Sequence, residues 1–200
     1  MTETDGKPHP SDLPPGFRAL PGGACPWDAA LRAAAADAEP GAMFWSGAGG
    51  RCEAAFVFSP DRPLEGPGVL LSLGALALYD TLAVFAPPSR PLHILPPDGL
   101  AVNAGRAAML RAAVAQAEAG AVPEWAVLGL DVALDLQAPA PGDTPDETCL
   151  AEEGFGVVAP AELLAQLCRY LLFWISVWQD EGGAALSKAV ADRTPSPVAA

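Results

Sequence analysis

Three places in this chain carry residue types that can hold an anion. The first is Gly47-Ala48-Gly49-Gly50-Arg51, where glycines free the backbone for close approach and an arginine follows directly. Arg51 could clamp a phosphate, or it could be a solvated arginine on a flexible surface loop. The second runs from Pro96-Pro97-Asp98-Gly99 to Asn103-Ala104-Gly105-Arg106. Arg106 could meet a phosphate or carboxylate with its planar fork, or it could be an ordinary turn arginine. Asp98 and Asn103 could contact a ligand, but both stand where tight turns want Asp and Asn, so the turn reading is the plainer one. The third is Asp131, two residues after Gly129 inside the apolar run Ala126–Leu134. A carboxylate there needs a partner: it takes a ligand group on the sheet face or ends the strand near solvent.

Lysine contributes little to any of these. The chain has 24 Asp and Glu against 11 Lys and Arg, a net charge of −13, and its two lysines, Lys7 and Lys188, lie toward the ends. An anionic ligand held in the middle of the chain must therefore be met by arginine, backbone N–H groups or a metal ion. The same balance argues against nucleic acid as a partner, because phosphate tracking needs clustered cations. Cys25, Cys52, Cys149 and Cys168 show no CxxC spacing and no base at readable distance, so Cys52, Cys149 and Cys168 read as small core residues. His93 alternates with apolar neighbours and reads as structural. Glu147, Glu152 and Glu153 read as a solvated acidic loop, with a carrier contact as the alternative. No residue is assigned to a permanent metal site.

The elements that must position these groups follow from periodicity. Pro26 to Ala38 is helix-like, with Pro26 in a first-turn position and Trp27, Ala30 and Leu31 facing inward. Ala54–Phe58 reads as a strand closed by Ser59-Pro60-Asp61-Arg62-Pro63. Leu70, Leu73, Leu76, Ala77 and Leu82 support a long helix over 69–85 that ends before Pro87-Pro88. Pro91 to Leu110 reads as paired strands around the Pro96–Gly99 and Asn103–Gly105 turns. The alanine-rich 112–121 stretch is open between helix and strand end. Leu163, Leu164, Leu167, Leu171, Trp174, Ile175 and Trp178 recur at three and four residues and define one face of a helix. Short strands among two or three helices mean α+β with a mixed, mostly antiparallel sheet flanked by helices. The expected organisation is a flexible segment over 1–22, one domain over 23–188 and a disordered tail over 189–200. The start of the chain lacks signal-peptide character, and Leu171–Trp178 is far shorter than the ~20 apolar residues of a spanning helix. Free thiols and a cytoplasmic, non-membrane setting are the expectation.

In this order the motifs resemble the catalytic domain of the biotin/lipoate A/B protein ligase family over roughly residues 25–186. Phe56-Val-Phe-Ser-Pro-Asp-Arg-Pro-Leu64 follows the place of the family's Gly/Arg-rich loop. Pro97-Asp-Gly-Leu-Ala-Val-Asn-Ala-Gly-Arg106 stands at its lysine-tryptophan-proline-asparagine-aspartate motif and the turn beyond. Val127-Leu-Gly-Leu-Asp-Val132 stands at its glycine-isoleucine-glycine-isoleucine-asparagine strand. Thr148-Cys-Leu150 stands at its threonine-serine-leucine, and Trp178-Gln-Asp-Glu-Gly-Gly183 at its closing helix and glycine. The resemblance implies a fold of that catalytic type and an ATP-dependent activity. Biotin or lipoate is activated to an acyl-adenylate and passed to a lysine of a carrier-domain protein.

That chemistry brings two anions together, so cations and aimed N–H groups must offset the repulsion. By resemblance, Arg51 and Arg106 would stabilise phosphate, Gly47, Gly49 and Gly50 would cradle it, and Asp98, Asn103 and Asp131 would touch substrate. ATP and Mg2+ are the implied cofactors, with Asp98 as a magnesium contact. The chain also departs from the pattern. The glycine loop retains one arginine, the motif's lysine position falls on Leu95 and its tryptophan on Pro96. No cysteine–lysine pair is in place for an octanoyl-transferase mechanism. Two readings therefore stand: a ligase-like enzyme working through arginines, or a catalytically degenerate relative that binds a small acid, a nucleotide or a protein.

Overall fold

The computed structural model describes residues 12–64, 66–118, 120–135 and 146–195. Among these, seven strands and four helices follow one another as β1 (Arg18–Pro21), α1 (Pro26–Ala35), β2 (Ala42–Ser46), β3 (Arg51–Phe58), α2 (Pro67–Phe85), β4 (Leu92–Leu95), β5 (Gly99–Val102), β6 (Gly105–Val114), β7 (Ala126–Ala133), α3 (Pro160–Glu181) and α4 (Gly183–Arg193). The strands form one sheet in the order β1-β2-β3-β7-β6-β5-β4. Only the edge pair β1–β2 is parallel, and every other neighbour is antiparallel. The α+β architecture expected from the patterning is present.

Period-two alternation divides the sheet into two unlike faces. On β3, Cys52, Ala54 and Phe56 enter the large core beneath α2 and α3, whereas Ala55 and Val57 enter a small core beneath α1. On β7, Leu128, Leu130 and Val132 join the large core and Val127 the small one. Helix α1 packs on β2, β3 and β7, while α2 lies across β4 to β7 on the other side and is itself covered by α3 and α4. That double cover explains the composition of α2. Gly68–Phe85 is long and apolar enough to cross a membrane, yet its side chains serve two packed neighbours at once. Its one fully buried polar side chain, Thr81, donates to the Ala77 carbonyl at 2.7 Å within the helix.

Several boundaries differ from expectation. Within the 1–22 segment read as flexible, Arg18–Pro21 pairs with Ala42–Trp45, so the sheet begins ahead of residue 23. Four residues of mixed polarity show too little periodicity to announce an edge strand. The tail expected to fray from 189 continues α4 to Arg193. There the guanidinium reaches Asp80 at 3.2 Å and lies over the rings of Tyr79 and Trp174, so charge and aromatic contacts dock it. Asp80 also accepts from the Trp174 indole at 2.8 Å. The open question at 112–121 resolves toward strand, since β6 runs to Val114. The acidic stretch Thr144–Gly154 lies partly outside the described residues. Within them Glu153 is not solvated: it accepts from Thr148 Oγ1 at 2.9 Å and lies 3.7 Å from Arg90.

Candidate functional site

Strand register assembles a site that no single motif contains. Ser46 pairs with Glu53, Glu53 with Asp131, Asp131 with Met109, Met109 with Gly99, and Gly99 with Leu95. Directly opposed residues share a face, so these six stand in one row across six strands, each step about 4.8 Å. The row lies on the α1 side of the sheet. Two residues along each strand, Ala55, Gly129 and Arg111 form a second row on that face. Helix α1 covers the β2, β3 and β7 part, and beyond it Met109 is 41% exposed. Met109 marks the part of this row that solvent, and so a ligand, can reach.

Each expected site residue can now be located. Gly47, Ala48 and Gly49 form the exposed β2–β3 hairpin, and Gly49 and Gly50 adopt φ of +65° and +71°. The Gly50 carbonyl accepts the N–H groups of Leu134 and Asp135 at 2.8 and 2.9 Å, which anchors the hairpin to the end of β7. Arg51 is not a solvated loop arginine, because its Nε donates to Asp131 Oδ1 at 2.7 Å, with both side chains partly buried. This hydrogen bond is the main reason its guanidinium pKa is raised, ahead of burial acting the other way and the charges of Asp131, Glu53 and Glu147. Asp131 accordingly neither stands free for a ligand nor ends a strand. It is mid-row, and its partner is Arg51.

Arg106 is the second residue of β6 and is half-buried. Its backbone N–H donates to the Asp146 carbonyl at 2.8 Å and its carbonyl accepts from Thr148 N at 3.0 Å, so the end of the acidic segment is zipped onto it. Its Nε lies above Gly99, 3.5 Å from where a Cβ would stand, and that absent side chain leaves it room over the row. Among the described residues its guanidinium has no ion-pair partner. Asp98 is half-buried in the β4–β5 turn, its carbonyl accepting Leu110 N at 2.7 Å, and its carboxylate is likewise unpaired among the described residues. Asn103 is different. It is exposed at the opposite end of β5 from Asp98, with φ +59° in the β5–β6 turn, so the turn explains it.

Three participants escaped the motifs. Glu53 faces Asp131, Arg111 lies 5.7 Å from the Trp27 ring centroid, and Trp27 packs directly on Gly129, where a Cβ would come within 2.6 Å of the indole. With Cys25 at the start of α1 they enclose a cavity of about 100 Å³. A strand begun at Ala54 rather than Arg51 excludes Glu53, and alanines around Arg111 hide its strand periodicity. The thiols are silent: burial above all pushes Cys52 well above its ordinary value and Cys168 up to about 12, so neither is a nucleophile near neutrality.

The family model of the Biotin/lipoate A/B protein ligase family matches residues 13–191. No curated protein matches the chain. Among solved structures, a biotin protein ligase-like protein of unknown function from Silicibacter sp. TM1040 is 28% identical, with 91% of this chain and 80% of that one covered at a TM-score of 0.77. The biotin protein ligase of Aquifex aeolicus in complex with biotin and ATP shares the fold at TM-score 0.66 and 11% identity, covering 82% of this chain and 73% of its own. That of Leishmania major in complex with biotinyl-5-AMP does so at 0.60 and 15%, covering 94% and 87%. The family match spans nearly the whole described domain, and the fold is shared with these solved structures: this chain belongs to the Biotin/lipoate A/B protein ligase family.

Proposed function

We propose that this protein binds a small carboxylic acid of biotin or lipoate type on the open sheet face, activates it with ATP, and passes it to a lysine of a carrier-domain protein. The observation that carries the reading is the row from Glu53 to Leu95 on a face that α1 only partly covers, with the guanidinium of Arg106, unpaired among the described residues, above its Gly99 floor. In the family's reaction the acid's carboxylate oxygen attacks the α-phosphorus, pyrophosphate departs, and the acceptor amine then displaces AMP from the acyl carbon. Arg106 is the cation available to offset the negative charge where these groups meet. Gly47 and Gly49 present exposed backbone beside the row's Ser46 end, and Arg51, fixed by Asp131, contributes a held rather than a mobile charge.

The residues present fit Mg2+ only as a substrate-bound ion. Among the described residues no three His, Cys, Asp or Glu side chains gather around a common point. Magnesium carried on nucleotide phosphates needs one or two carboxylates, and Asp98, unpaired among the described residues, is the candidate. Free thiols in all four cysteines suit a reducing compartment, and a cytoplasmic setting belongs to the proposal.

A second reading has its own observation. Leu95 stands in the row where the family motif has a lysine, and Arg51 is neutralised by Asp131, so the face is poorer in free cations than a triphosphate wants. On that reading the protein binds the acid without adenylating it. Pyrophosphate release from MgATP, with biotin and with lipoate, separates the two. The ligase reading predicts acid-dependent release that Arg106→Ala lowers by about 100-fold or more. It also predicts that Leu95→Lys raises it. Release that is absent in both wild type and Leu95→Lys would leave the binding reading standing.

A further inference from the structure

On the other side of the sheet, at the far ends of β3 and β7 from Glu53 and Asp131, an apolar cavity of about 240 Å³ opens between α2, α3 and the 59–64 loop. Phe58 and Leu128 form its floor, Leu73 lines it from α2, and Leu171, Ile175 and Trp178 line it from α3. Close-packed interiors leave few voids larger than a water molecule, and an apolar cavity of about 150 Å³ already admits benzene while staying dry. This one is larger, and its wall is mostly apolar, with Ser59, Asp61 and Gln179 the polar side chains among its lining.

The polar groups gather at its mouth. Arg62 lies 5.4 Å from the Trp178 ring centroid, donates to the Gln179 carbonyl at 2.9 Å, and has Asp61 at 3.4 Å. The guanidinium therefore braces the tryptophan wall of the cavity. Of this pair only Asp61 lines the cavity, and its charge is offset by Arg62, whose Nε and one terminal nitrogen are already engaged with Asp61 and the Gln179 carbonyl. A carboxylate head would face Asp61 and an ammonium would have to compete with Arg62 for it, whereas a hydroxyl can donate to Asp61 without breaking the pair.

We propose that this cavity is a binding site for a small uncharged amphiphile, its hydrocarbon body of about six carbons between Leu73, Leu171 and Trp178 and its hydroxyl at the Asp61–Arg62 mouth. It is separate from the open sheet face and does not depend on the function proposed for that face.

The test is thermal unfolding of the full chain titrated with 1-hexanol and, in parallel, hexanoate. Leu73→Phe and Leu171→Phe each fill the cavity from a different helix. 1-Hexanol is expected to raise the wild-type midpoint saturably and hexanoate to do so at least ten-fold more weakly. The filled variants are expected to melt at or above the wild-type midpoint and to lose the 1-hexanol response. A wild-type midpoint that 1-hexanol does not raise would overturn the proposal. So would an undiminished response in whichever filled variant folds, or hexanoate binding as tightly as 1-hexanol.

Discussion

The two faces of the sheet are made from the same strands and obey different rules. Facing α2 and α3, β7 presents Leu128, Leu130 and Val132 in a large closed core. Facing α1 and solvent, the same strand presents Val127, Gly129 and Asp131, the last two a stretch of backbone on which Trp27 packs and a carboxylate held by Arg51. The first face is judged by volume and the second by charge and access. A strand that is read as one apolar run conceals this division, and its Gly and Asp are the only outward signs of it.

Changes on the closed face should have the largest effect on stability and little on ligand affinity. Phe56 is fully buried between Phe17 and Phe58, and Phe56→Ala should cost about 3–5 kcal/mol in urea unfolding. A cost near zero would break the assignment of the main core. Gly129→Val crosses to the other face, where a Cβ meets Trp27 at 2.6 Å. We expect a loss of about 1–3 kcal/mol. A changed near-ultraviolet dichroism should accompany it as the indole is displaced.

Asp131→Asn sharpens the contrast further. Arg51 is a third exposed and can recover hydration, so the loss should be only about 1 kcal/mol. The freed guanidinium should at the same time bind pyrophosphate more tightly, which isothermal calorimetry can read. Weaker pyrophosphate binding would show that Arg51 needs Asp131 to hold it in a phosphate-binding pose.

The smallest effect concerns the buried thiols. Both Cys52 and Cys168 have folded-state values raised above the ordinary 9.0, chiefly by burial. Their contribution to stability is fully present below pH 9. It is lost as the pH rises toward about 12, where the unfolded chain binds fewer protons than the folded one. Between pH 6 and 8.5 these thiols should add no slope to the unfolding free energy, and a thiol reagent at pH 8 should label the half-exposed Cys25 well before Cys52, Cys149 and Cys168.

Much of the fold was legible because it rests on strong periodicity. The α3 stripe from Leu163 to Trp174 is buried as its three- and four-residue spacing requires, and the Pro96–Gly99 and Asn103–Ala104 turns lie where Pro, Asp, Gly and Asn put them. Elements with weak local signal were not legible: β1 is four residues long, and α4 is held by Arg193 reaching Asp80 on α2, 113 residues earlier. The site was legible only in pieces. Arg106 and Asp98 announce themselves by type, but the Arg51–Asp131 pair joins residues 80 apart, and Glu53 and Arg111 acquire meaning only through register. Cross-strand rows are long-range facts, and one chain segment at a time does not reveal them.

The central claim is that the open face holds an acid that nucleotide binding reinforces. It is tested most directly by calorimetric titration of biotin, and separately of lipoate, into the full chain with and without MgATP. The account predicts one-to-one binding of one of the two acids, tightened when MgATP is present and weakened by Arg106→Ala. A folded, monodisperse protein that binds neither acid under either condition would contradict it.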